Sequence, residues 1–323
     1  MQNLIDEYPD DAVFFEYTRP ANFGKPGDRY VWCDVEGADP MLKLKPGATI
    51  GIDEKTALDW DTIQKITRDI PDPFAPKSLV QNYFEDDGRY RGVFWTRLSF
   101  ERLWHFRGMS ETLMDFYLNP DEIKDLLDRL KHVLMRAIDR ASSDEYKFDA
   151  IAFTDDIGMQ DRPFFSEDIF IEFLKPHYKE VIDYAHSKGL DVWLHTCGNV
   201  EPFIPHFGVD VLHPIQKYTM DEKKIAELYG DKICIWAGME VQRILPFGTP
   251  EDVRQEMRFL MDTFYHPGKG HAVFSSGNRL GKDIPNENMR AFFEEMYEYG
   301  EKIAKEGRSG NNPGVLGRIP HYH

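Results

Sequence analysis

The sequence predicts an α/β fold, a (β/α)8 TIM barrel preceded by an irregular N-terminal extension. Three observations carry that prediction. From about residue 89 onward, short apolar runs alternate with long amphipathic segments, the pattern of βα units in a parallel sheet. Polar, chemically capable side chains recur just after those runs, where barrels place their active sites. No G-x-G-x-x-G follows any of the runs, which argues against an open dinucleotide-binding sheet. Residues 1–80 read as the extension packing on the barrel, and 81–323 as the barrel, a single domain overall.

Pro and Gly punctuate the first 80 residues (RPANFGKPGDRY, KPGATIGIDE, IPDPFAPK), with short apolar runs at 11–17 and 30–35. Residues 57–70 are a helix candidate stopped by Pro71. The run 90–96 predicts a strand, followed by a helix. Asn119 as N-cap and Pro120 in the first turn open a strong amphipathic helix, with Ile123, Leu126, Leu127, Leu130, Val133 and Leu134 at helical spacing. A strand is predicted at 148–153. Ser166 then caps a helix that runs to Gly189. Strands at 191–195 and 209–213 precede a helix at 221–229. After a strand at 233–237, Thr249 and Pro250 start another helix. A strand at 271–275 and the segment NENMRAFFEEMYEYGEKIAKEG close the series.

A chain of 323 residues with 41% hydrophobic and 14% aromatic residues can bury a sizeable core. No stretch approaches the roughly 20 apolar residues of a membrane span. The acidic N-terminus lacks the basic-then-apolar order of a signal peptide. Three scattered cysteines make no disulfide framework, so the expected location is cytoplasmic. The formal charge of −17 disfavours nucleic acid and anionic membrane as partners, leaving a small-molecule substrate. A homodimer is the default assembly.

The candidate site is read from the strand ends. In DVWLHTCGN, His195 and Cys197 stand two apart at the end of a strand and so share a face, with Gly198 turning the chain. A converging His and Cys make half of a zinc site; a buried imidazole beside a small apolar Cys is the plainer alternative. Glu240 is a candidate oxygen ligand, or else the partner of Arg243 or Arg279. Asp155 and Asp156 are candidate general acids or bases, with one of them entering the barrel mouth and the other holding a turn. Gln160, His213, Gln216 and Asn278 follow other strands, and Trp95, with Trp104 and Phe106, is placed to line an apolar pocket or the core. No G-x-S-x-G, CxxC or Gly-rich phosphate loop appears.

The H-x-C-G stretch at 195–198, the DD-x-G-x-Q loop at 155–160 and the FGTPEDV turn at 247–253 resemble the uroporphyrinogen decarboxylase superfamily, over about Gly92 to Gly300. The resemblance implies a (β/α) barrel. It also implies one of two branches: metal-free decarboxylases of tetrapyrroles, or zinc-dependent methyltransferases that serve corrinoid proteins. The decarboxylases' R-Q-A-G-R-Y motif is missing; the nearest strings are 27–30 (GDRY) and 88–90 (GRY). The methyltransferase branch carries H-x-C, matched by His195 and Cys197, and a further Cys near the position of Asn278 here. The expectation is therefore a zinc enzyme moving a methyl group from a small methoxylated or methylated substrate to a corrinoid on a partner protein. Glu240 would complete the metal set, Asp155 or Asp156 would orient substrate or supply a proton, and Gln160 and Gln216 would hydrogen-bond it. The alternatives are a metal-free decarboxylase or lyase and a non-catalytic binding barrel.

Overall fold

The computed structural model describes residues 10–16, 58–68, 87–265 and 272–308 except 96 and 282, together with residues 4, 7 and 8. The chain forms two compact units, Asp11–Asp210 and Val211–His323 with Met1–Asp10. It is α/β, and among the described residues its strands pair in parallel.

In the first unit, β1 (Ala12–Glu16), β2 (Tyr90–Trp95), β3 (Ala150–Thr154) and β4 (Asp191–His195) pair in chain order. β1 falls inside the stretch assigned to the extension. Its apolar residues make it a strand of the sheet, in register from Ala12↔Tyr90 to Glu16↔Phe94. Most of that stretch otherwise lies outside the described residues, as do Cys33 and the terminal IPHYH. β3 and β4 are buried except at their last residues, Thr154 and His195, which are register partners. The buried body of each strand, apolar throughout in β3 and from Val192 to Leu194 in β4, thus fixes the level at which the polar ends emerge.

Helices cover the connections. α1 (Trp60–Thr67) is capped by the Asp59 carboxylate. α2 (Phe100–Arg107) and α3 (Met109–Leu118) meet at Gly108, whose φ of 81° suits glycine. α4 (Pro120–Ala141) buries the apolar stripe predicted for it. Asn119 stands at its N-cap without a side-chain capping bond, because its amide donates to Asp115 Oδ1 at 2.6 Å. Asp115 is itself held by Arg107 at 2.6 Å.

The helix predicted from Ser166 to Gly189 is interrupted. α5 (Glu167–Ile169) gives way to a π-helical turn (Phe170–Leu174) before α6 (Lys175–Ser187). Pro176 lacks the N–H that would continue the ladder, and the wider turn places the Lys175 N–H on the Phe170 carbonyl instead. A short α7 (Ile204–Phe207) ends at Gly208, φ 72°.

In the second unit, β5 (Val211–His213), β6 (Cys234–Met239) and β7 (Ala272–Ser276) pair in order. Their helices are α8 (Glu222–Tyr229), α9 (Ile244–Phe247), α10 (Pro250–Phe264) and α11 (Asn286–Arg308). Asp221 caps α8 and Thr249 caps α10, the latter in a reciprocal capping box with Asp252. Cys234 is buried in β6, as its place in the strand predicts. No helix of the described residues is long and apolar enough to cross a membrane.

Candidate metal centre

The first unit brings Asp156, His195 and Cys197 together, one ligand atom from each lying within 4.8 Å of the others. Three local features build the cluster. His195 is the last residue of β4, and Cys197 follows two positions later on the same face. Gly198 turns the chain at φ 83°. A Cβ there would stand 2.3 Å from the Gly158 carbonyl oxygen, and one on Gly158 would meet the Cys197 carbonyl oxygen at 2.7 Å. The loops after β3 and β4 thus pack backbone against backbone, pinned by the Asn199 N–H on the Met159 carbonyl at 2.7 Å.

Cys197 Sγ lies 3.4 Å from His195 Nε2, and His195 Nε2 lies 3.9 Å from Asp156 Oδ1. Ligands bound tetrahedrally to zinc at about 2.0–2.3 Å stand about 3.3–3.7 Å from one another. The nitrogen–sulfur and nitrogen–oxygen separations are within a few tenths of an ångström of that spacing, and all three atoms lie within 4.8 Å of one another, so the donor set fits the metal. The Cys197 N–H donates to Asp156 Oδ1 at 2.8 Å, which ties the carboxylate to the thiol's own backbone. The His195 side chain is 17% exposed and that of Asp156 42%, so the cluster is open on its carboxylate side. Burial holds the His195 imidazole below its usual range, against the opposing pull of Asp156, and favours the neutral ring that a metal binds.

The two neighbouring aspartates divide as alternation along a strand demands. Asp155 is fully buried and accepts hydrogen bonds from Ser99 Oγ (2.5 Å), Tyr178 Oη (2.8 Å), the Glu101 N–H (2.8 Å) and the Phe100 N–H (3.1 Å). It caps α2 from another segment, since Ser99 makes no side-chain cap there. Burial pushes its carboxyl up, and the hydrogen bonds pull it back.

Glu101, which the reading of strand ends passed over, stands beside the cluster. Thr154 Oγ1 accepts the Arg97 N–H at 2.9 Å and donates to Glu101 Oε2 at 2.7 Å. Burial, then the charges of Asp155 and Asp156, push the Glu101 carboxyl up to about 7. The signal was present in the sequence: Arg97, Ser99 and Glu101 follow β2 just as the other polar residues follow their strands.

The remaining candidates are placed as follows. Gln160 is exposed on the loop after β3, and Trp95 is half-buried at the end of β2. Trp104 and Phe106 are buried in α2. In the second unit, the Glu240 carboxylate accepts the N–H groups of Gln242, Arg243 and Ile244, each at 2.7 Å, and so caps α9. Neither arginine side chain proposed for it is its hydrogen-bond partner. His213 is buried against Trp236, with Nε2 at 3.2 Å from the Ser276 carbonyl oxygen. Gln216 is half-buried, its carbonyl accepting from Thr219, and Asn278 is exposed, its side-chain oxygen accepting the Arg279 N–H.

Comparison with known proteins places the chain. A uroporphyrinogen decarboxylase from Pseudoalteromonas translucida (strain TAC 125) is 30% identical over 88 residues, 27% of this chain and 24% of its own length. One from Actinobacillus succinogenes is 27% identical over 119 residues, 37% of this chain and 30% of its own. The chain thus spans less than a third of the length of these curated relatives. Among solved structures, an L-ribulose 3-epimerase superposes with a TM-score of 0.44 at 12% identity, covering 97% of this chain and 92% of that one. The family model of uroporphyrinogen decarboxylase (URO-D) matches residues 105–299, more than half of the sequence, and this chain belongs to that family.

Proposed function

We propose that this protein is a zinc-dependent methyltransferase of the URO-D family, built on a closed (β/α)8 barrel. It moves a methyl group from a small methoxylated or methylated substrate to a corrinoid on a partner protein. The observation that carries the proposal is the nitrogen, sulfur and oxygen donor set of His195, Cys197 and Asp156. Bound zinc would supply Lewis acidity toward the heteroatom that bears the methyl group. His195 and Cys197 would hold the metal from the rigid end of β4. Asp156, rather than Glu240, would be the carboxylate ligand, because the Glu240 oxygens are spent on the N-terminus of α9. Gln160, exposed on the loop that carries Asp156, would hydrogen-bond the substrate. A cysteine thiol as ligand fits a reducing, cytoplasmic setting.

The test is metal content, on protein purified without chelator. About one zinc per chain is expected, lost in His195→Ala and Cys197→Ala and weakened in Asp156→Asn. A wild-type protein that takes up no zinc after reconstitution would sink the proposal. A second reading, a metal-free carboxy-lyase, is favoured by the relatives' shared description as uroporphyrinogen decarboxylases. It requires coproporphyrinogen to form from uroporphyrinogen without metal.

A further inference from the structure

We propose that Glu101 is the carboxylic acid that delivers a proton to the substrate held at the Asp156–His195–Cys197 cluster. The inference rests on the metal-centre reading for where the substrate sits. The placement is geometric first. Thr154 and His195 are register partners on neighbouring parallel strands, so their side chains share a face of the sheet. Asp156 and Cys197 follow each of them by two residues. Thr154 Oγ1 holds one oxygen of Glu101 at 2.7 Å, which anchors that carboxyl on the same face. Among the described residues, Thr154 Oγ1 is the hydrogen-bond donor to the Glu101 carboxyl, and the Arg97 charge also acts on it.

The backbone around it is also unusual. Arg97 adopts φ 69°, a conformation costly for a residue with a side chain, and its N–H is the one that Thr154 Oγ1 accepts. Strain of this kind persists where the surroundings hold it, and here the hydroxyl that accepts the Arg97 N–H is the one that donates to Glu101. Burial, then the charges of Asp155 and Asp156, raise this carboxyl to about 7 against the opposing Thr154 hydrogen bond and Arg97 charge. A group of that character at neutral pH is suited to general-acid work.

The step balances simply. The bond between the substrate heteroatom and the methyl carbon breaks, and the electron pair stays on the heteroatom. The methyl carbon forms a bond to the cobalt(I) of the corrinoid. The Glu101 O–H gives its proton to the heteroatom, which leaves as a neutral alcohol or amine, and water reprotonates the carboxylate.

A diazoacetyl amide, which esterifies protonated, accessible carboxyls, tests the assignment directly. Below neutral pH the ester should map to Glu101, decline as pH passes about 7, and be absent from Glu101→Gln. That variant should keep the wild-type zinc content while losing about 10²-fold or more in methyl transfer from a methoxylated phenol to free cob(I)alamin. Its remaining rate should no longer fall as pH rises through neutrality. Failure to label Glu101, or a Glu101→Gln enzyme with the wild-type rate and pH profile, overturns the inference. Labelling of Glu101 in a protein that binds no zinc would support the acid and overturn only the metal reading.

Discussion

Asp155 and Asp156 show how little sequence adjacency says about role. Asp156 joins the His195–Cys197 cluster at partial exposure, while Asp155 is sealed in the core and satisfied by four donors. Asp155→Asn would keep the volume but set an amide N–H₂ against hydrogen-bond donors. The expected loss is about 2–4 kcal/mol, the cost of leaving buried donors unpaired. Urea denaturation should show it as a lower midpoint with unchanged slope. A variant within about 0.5 kcal/mol of wild type, the usual range for surface changes, would mean that Asp155 does not hold α2. Alternation along the strand was legible in advance, but which aspartate faced which way was not, because that depends on Ser99 and Tyr178 arriving from distant segments.

At the scale of elements, caps explain where several helices begin. The Thr249–Asp252 box starts α10 with two reciprocal bonds, Asp252 Oδ2 accepting the Thr249 N–H at 2.8 Å and Thr249 Oγ1 accepting the Asp252 N–H at 3.2 Å. Thr249→Ala should cost about 1 kcal/mol, read from thermal or urea unfolding. No measurable change would mean that neighbouring contacts alone hold this turn. Thr249-Pro250 and Ser166 announce their helices in the sequence, since a cap bonds within three residues. The Glu240 cap of α9 and the Asn119–Asp115 pair were not legible in the same way: each side chain had another chemically reasonable use, and packing chose between them.

For the molecule as a whole, buried titratable groups shape stability against pH in opposite senses, with His177 and Glu222 on opposite sides and Glu101 acting in the same sense as Glu222. Burial holds His177 down to about 4, so the folded state keeps it neutral while the unfolded chain protonates near 6.5. The unfolded state then binds more protons, and stability falls as pH drops from about 6.5 toward 4. Glu222 is raised to about 7 by burial, with Glu256 adding to the rise and Lys217, 3.4 Å away, opposing it. There the folded state binds more protons, and stability falls as pH climbs from about 4.5 toward 7. Glu222→Gln should flatten the upper slope and His177→Asn the lower one in unfolding midpoints measured across pH. Unaltered slopes in both variants would show that other groups govern the profile.

The sequence by itself determined the α/β class, the order of strands and helices from residue 90 onward, and the pairing of His195 with Cys197. Those features depend on periodicity and on neighbours two to four residues apart, which the chain carries locally. Tertiary structure alone made Asp156 the carboxylate of the cluster, placed Asp155 under α2, and set Glu101 beside Thr154. Each of those choices joins residues about 40 to 55 positions apart through parallel register and loop packing, and no local pattern encodes which of several carboxylates will arrive.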